Sequence, residues 1–273
     1  MEQLFGICEW SLPCQGSLAI RLASLAGFNG IQLGEAGGRR FSYPLNNPEV
    51  QKALAEAARQ YHIQLHSLNL GALLSEGTMN YAPSTLKGEY ARQSLRFGFL
   101  ACQKLNIHTI VITASPTSEE AKEHILQHLQ YACTLSDTCN IEIALESALP
   151  LHQIQEILTQ LNGRVKICMD TLNPLRFRTG IPQEQITTFG AELISHFHMK
   201  DSLSPLFTPS ERGCVLLGSG DAGYSQSVDA IKSIGYQGWI ISENYYYLPP
   251  MNIGQDFLML AKKDLHTLKA SFQ

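Results

Sequence analysis

The chain has 273 residues, long enough for one large domain with a full hydrophobic core. Its 44% hydrophobic and 16% charged residues are ordinary for a globular enzyme, and a formal net charge of -4 gives nucleic acid no basic surface to bind. Met1-Glu2-Gln3 opens no basic-then-apolar leader and no stretch reaches the ~20 apolar residues of a membrane span, which predicts a cytoplasmic protein with no membrane partner.

Taken in chain order, short aliphatic runs alternate with longer amphipathic stretches. Strands are predicted at Leu4 to Cys8, Gly30 to Leu33, Ile63 to Leu68 and Thr109 to Thr113 in the first half. The second half adds Glu142 to Glu146, Lys166 to Met169, Ile194 to His198 and Gly238 to Ser242. Helices are predicted at Pro48 to Gln60, Ser118 to Leu135 and Leu151 to Leu161; Pro48 suits a first helical turn, and Ser118 with Glu119 and Glu120 suits a helix start. Gly27 and Gly235 each stand between a helical pattern and the next strand, where a left-handed cap ends the helix. Eight strand-helix units predict a closed α/β fold, the (β/α)8 TIM barrel, as a single domain over residues 1–273. The connection from Lys200 to Tyr224 is long and contains Gly, Ser and Pro, which marks it as a lid candidate.

Seven cysteines, at 8, 14, 102, 133, 139, 168 and 214, form no Cys-x-x-Cys pair, so they are expected as reduced, mostly buried residues. The chemistry lies instead at strand ends. A parallel barrel aims every strand's C-terminus at one face, so residues far apart in sequence converge there. Four consecutive strands close on Glu146, Asp170, His198 and Glu243. Three carboxylates in one mouth repel one another unless a cation compensates them, and one nitrogen with three oxygen donors suits Mn²⁺ first, with Mg²⁺, Co²⁺ or Zn²⁺ as alternatives. His196 shares the inward face with His198 but lies deeper.

The segments "ALES" at Glu146, "MDTLNP" at Asp170, "HFHMKD" at His198, "LLGSGDAGY" from Leu216 to Tyr224 and "GYQGWIISEN" ending at Asn244 resemble, in order and spacing, the sugar phosphate isomerase/epimerase group of xylose-isomerase-like barrels. That group includes ketose 3-epimerases and hexulose-phosphate epimerases. The resemblance covers nearly the whole chain and implies that Glu146, Asp170, His198 and Glu243 are metal ligands, with Glu146 and Glu243 doubling as the catalytic acid/base pair. Two positions depart from the free-ketose enzymes: Asn173 stands where they have His, and His152 where they have Glu. Asn173-Pro174 is closer to the sugar-phosphate branch, and Gly218-Ser219-Gly220 falls where many barrels bind phosphate, although such a run is more often just a turn.

Further substrate contacts are expected from Trp10, which could wall the apolar side of a sugar, from His66 at the end of strand three, from Lys200, and from Arg212 in the long connection as an anion contact. Two of these have plainer readings: a hydrogen-bonded structural residue for His66, and a surface ion pair with Asp201 for Lys200. Tyr245-Tyr246-Tyr247 is expected at the rim or at a contact between copies of the chain. The leading reading is an isomerase or epimerase of a ketose or ketose phosphate, in which the glutamates move a proton through a metal-stabilised enediolate. The partner is then a small sugar or sugar phosphate, with homo-oligomerisation left open. A dehydratase or lyase of the same barrel group and a non-catalytic sugar-binding barrel are the alternatives.

Overall fold

Each strand is followed by an amphipathic helix that carries the chain back to the same end of the sheet, so the strands can lie only parallel. The computed structural model describes residues 3–35, 43–203 and 213–272. The strands are β1 (Leu4–Cys8), β2 (Gly30–Leu33), β3 (Gln64–Asn69), β4 (Thr109–Thr113), β5 (Glu142–Glu146), β6 (Lys166–Asp170), β7 (Ile194–Met199) and β8 (Trp239–Ser242). They form a closed barrel in sequence order, with β8 returning to β1 through Leu4↔Trp239 and Ile7↔Ser242. β1, β2, β4 and β5 have their expected bounds; the other four differ by a single residue at one or both ends.

The helices are α1 (Ser17–Ala26), α2 (Pro48–Tyr61), α3 (Gly71–Ser75), α4 (Leu86–Leu105), α5 (Glu119–Cys139), α6 (Leu151–Gln160), α7 (Asn173–Arg176), α8 (Pro182–Leu193), α9 (Tyr224–Ser233) and α10 (Phe257–Phe272). Their ends follow from local chemistry. Asn47 accepts the Glu49 amide at 2.9 Å ahead of Pro48, and Ser118 Oγ accepts the Ala121 amide at 3.1 Å, each satisfying a donor that the first turn leaves open. α1 stops at Gly27, whose φ of 93° only glycine adopts at low cost and whose N–H closes on Ala23 and Ser24.

The core divides in two. Ile31, Ile110, Ile143 and Leu145 point outward from the sheet into one large cluster shared with the helices, and fully burying each such side chain stabilises the fold by roughly 1.5–3 kcal/mol. The lumen holds a separate small cluster of Val111, Ala144 and Cys168. These short side chains leave room inside the barrel for His66 and His196, whose ring centroids lie 4.9 Å apart. All seven cysteines are free thiols, five of them buried. No helix among the described residues is long and apolar enough to cross a membrane.

Candidate active site

Strand pleating sends His196 and His198 to the same, inward side of β7. The pairing Asp170↔His198 sets the last residue of β6 beside the second histidine, and His198↔Ile241 brings the end of β8, with Glu243 just beyond, to its other flank. Glu146 closes β5 at the same level. One ligand-type atom from each of Glu146, Asp170, His198 and Glu243 lies within 4.8 Å of the others, and all four residues are buried.

Neighbours hold each of the four, and in Asp170, His198 and Glu243 they leave one atom aimed at the centre. Gln32 Oε1 accepts from His198 Nε2–H at 2.6 Å, which puts the ring proton on Nε2 and turns Nδ1 towards Glu243 Oε2 at 2.8 Å and Glu146 Oε1 at 3.7 Å. Asp170 Oδ1 accepts the Leu172 and Asn173 amides at 2.7 and 2.6 Å. Glu146 accepts from Thr113 Oγ1 at 3.1 Å and from Asn173 Nδ2 at 3.3 Å. Glu243 Oε1 accepts from the Trp10 indole N–H at 2.9 Å.

The centre is electrostatically unbalanced. Lys200 Nζ lies 2.9 Å from Asp170 Oδ2 and 2.8 Å from Glu243 Oε2, so one ammonium faces a crowd of buried carboxylates. Burial and the neighbouring Glu243 and Glu146 push Asp170 up, although Lys200 pulls it down. Burial would also raise Glu243, but Lys200 and His198 outweigh it and hold that carboxyl well below its ordinary range. Burial disfavours the charged Lys200, yet Asp170 and Glu243 hold its proton tightly.

His198 Nδ1, Asp170 Oδ2 and Glu243 Oε2 are buried with no partner in hydrogen-bond geometry, and their only close contacts are ionic. Three ligand-type atoms of mixed N and O character, held only by ion pairs and converging with a fourth carboxylate, fit a divalent cation.

A cavity of about 580 Å³ opens over the cluster and is lined by Trp10, Glu35, Glu146, Asn173, Lys200 and Glu243 among others. It brings together the expected residues Trp10, Asn173 and Lys200. His66 sits elsewhere: it is buried in the lumen beneath the cluster, donating or accepting at Ser67 Oγ and packed on His196 and Trp239, and burial pulls its pKa down to about 3. Arg212 and the middle of the expected lid lie outside the described residues.

Three readings left open by the sequence are decided here. Gly218-Ser219-Gly220 does not present free amides for a phosphate, because Asp201 takes them: its carboxylate accepts from Ser202, Gly218, Gly220 and Ala222 N–H at 2.9 to 3.2 Å. Asp201 and Lys200 are both buried, so neither belongs to a surface pair. The three tyrosines also divide: Tyr245 lines the cavity, while Tyr246 is fully buried and donates to Asp264 Oδ2 at 3.0 Å. Sequence reasoning missed Gln32, although a fully buried polar residue in the apolar strand Gly-Ile-Gln-Leu is a readable signal.

A closed parallel barrel with a buried acid-histidine cluster at its C-terminal mouth defines a (β/α)8 protein of the kind that places chemistry on its strand ends. Residues 20–263 match the family described as xylose isomerase-like TIM barrel, and the chain belongs to that family. A 2-epi-5-epi-valiolone 7-phosphate 2-epimerase from Actinoplanes sp. is 25% identical over 228 residues, which span 83% of this chain and 81% of the relative. A D-allulose 3-epimerase from Methylomonas sp. solved in complex with D-allulose shares the fold with a TM-score of 0.74 at 18% identity, covering 99% of this chain and 98% of that one. The IOLI protein, solved with a bound zinc atom, has a TM-score of 0.76 at 17% identity over 98% and 97% of the two chains.

Proposed function

We propose that this protein is a metal-dependent isomerase or epimerase of a ketose or ketose phosphate. The observation that carries the reading is that Glu146 and Glu243 line one cavity while sharing a centre with Asp170 and His198. The names of the Actinoplanes and Methylomonas relatives support the reaction class.

Glu146, Asp170, His198 and Glu243 would hold the ion, and the mixed donor set favours Mn²⁺, with Mg²⁺, Co²⁺ and Zn²⁺ as alternatives. A bound divalent ion would polarise the substrate carbonyl and offset the negative charge that develops on its oxygen. The proton steps belong to the chain. One glutamate takes the proton from the carbon next to the carbonyl, and the C–H electron pair moves into the carbon skeleton to give an enediolate. The other glutamate returns a proton, on the opposite face for epimerisation or at the neighbouring carbon for isomerisation. Trp10 fixes the Glu243 carboxylate and walls the cavity, Asn173 orients Glu146, and Lys200 offers its ammonium to a substrate oxygen. Arg212 is proposed as an anion contact from the long connection.

Proton NMR of candidate ketoses and ketose phosphates turned over in D2O tests this directly. Deuterium at C3 identifies an epimerase, and deuterium at C1 or C2 an isomerase. Glu146→Gln and Glu243→Gln should each lower kcat by at least about a hundredfold. Turnover without solvent deuterium in early samples would sink the proton-transfer mechanism, and an unsaturated product would move the assignment to a lyase.

A further inference from the structure

We infer that Arg176 is a specificity-determining residue that binds a phosphate monoester on the substrate. The inference rests on the reading above that this cavity takes a sugar, and it names the class of sugar. Arg176 ends α7, the short helix that begins directly after Asp170, and its side chain lines the same cavity as Glu146 and Glu243. The turn that carries it is rigid: Asp170 Oδ1 clamps the Leu172 and Asn173 amides, and Pro174 occupies the start of the helix.

The cavity's cations are unequally engaged. Lys200 is held between Asp170 and Glu243, so its charge already belongs to the catalytic centre. Arg176 pairs with no carboxylate among the described residues, and its Nε–H is buried with no hydrogen-bond partner. A buried guanidinium donor without an acceptor is destabilising, and an incoming anion relieves it. The planar donor fork of arginine matches two oxygens of a phosphate at once, which an ammonium cannot do.

The usual alternative is closed. A barrel commonly cradles phosphate on backbone amides after strand seven, but here the Gly218, Gly220 and Ala222 amides are taken by the Asp201 carboxylate. A phosphate placed there would meet a buried negative charge. At Arg176 it meets a positive one that no carboxylate among the described residues engages, on the wall of the cavity that holds the two glutamates. The Actinoplanes relative, by its name, acts on a 7-phosphate.

The test is calorimetric titration of the metal-loaded protein with inorganic phosphate, repeated with Arg176→Gln, Arg176→Lys and the exposed neighbour Arg178→Gln. Arg176→Gln should weaken phosphate binding at least about tenfold, Arg176→Lys should restore part of it, and Arg178→Gln should change it less than twofold. Thermal melts and metal content establish that the variants are folded and loaded. A kinetic arm compares D-allulose with its 6-phosphate and with a sugar carboxylate: Arg176→Gln should lower kcat/KM for the phosphate ester relative to the free ketose by at least about tenfold. If Arg176→Gln binds phosphate as the wild type does, or the wild type binds none, the assignment is wrong. A selective loss for the sugar carboxylate would overturn it in favour of a uronate. The calorimetric titration requires no turnover, so failure of the proton-transfer reading leaves it interpretable.

Discussion

Glu35 shows how much one cavity residue depends on its surroundings. It stands just past β2 in the wall of the cavity, and burial pushes its carboxyl from 4.5 to about 7, although the Ala72 amide, 3.2 Å away, pulls the other way. Below the unfolded value both states are protonated. As pH rises from about 4.5 to about 7 the folded protein holds the proton that the unfolded chain has lost, so stability declines through that window and levels off above it. Glu35→Gln removes the slope. The variant's melting temperature should therefore gain on the wild type between about pH 5 and pH 8, by an amount equivalent to about 2 kcal/mol. Parallel melting curves across that range would contradict the account. Gln32 makes a related point at the cluster: by accepting from His198 Nε2–H it decides which ring nitrogen faces the carboxylates, and no spacing rule in the sequence pairs residue 32 with residue 198.

At the scale of elements, the sequence was legible wherever a local pattern determines structure and illegible wherever a contact crosses the barrel. The strands that carry Glu146, Asp170 and His198 were readable because short apolar runs before a polar residue need nothing beyond themselves, and the helix starts at Pro48 and just after Ser118 follow from cap chemistry. The turn at Gly218 to Gly220 left phosphate binding open beside a plain turn, because the Gly218 and Gly220 amides are satisfied by Asp201, which sits across the long connection rather than beside the turn. That contact makes Gly220 obligatory, since a Cβ there would collide with the Asp201 carboxylate. The same base is fixed by Leu217 N–H donating to Asp264 Oδ1 at 2.9 Å, and Asp264 in turn holds Asn244, the residue after Glu243. Asp201→Ala leaves several buried amides without acceptors and should lower stability by at least about 3 kcal/mol, read as a shift in the urea midpoint. Gly220→Ala should act in the same direction. If both variants unfolded within about 0.5 kcal/mol of the wild type, Asp201 would not be organising this segment.

The whole barrel turns these local devices into one site. Its closed parallel sheet fixes the strand ends to a common level, so donors at the ends of four different strands, from Glu146 to Glu243, converge with no loop needed to gather them. The fold class and the four convergent residues could be anticipated from strand-end chemistry, whereas Arg176 could not, because its part depends on what its neighbours leave unpaired. The central claim is that the cluster of Glu146, Asp170, His198 and Glu243 is built around a divalent cation. Metal content after Mn²⁺ loading and desalting measures it most directly. The wild type should retain about one ion per chain and His198→Ala, still folded, should retain far less; a wild-type protein that holds no ion, or a His198→Ala variant that holds as much, would contradict the account.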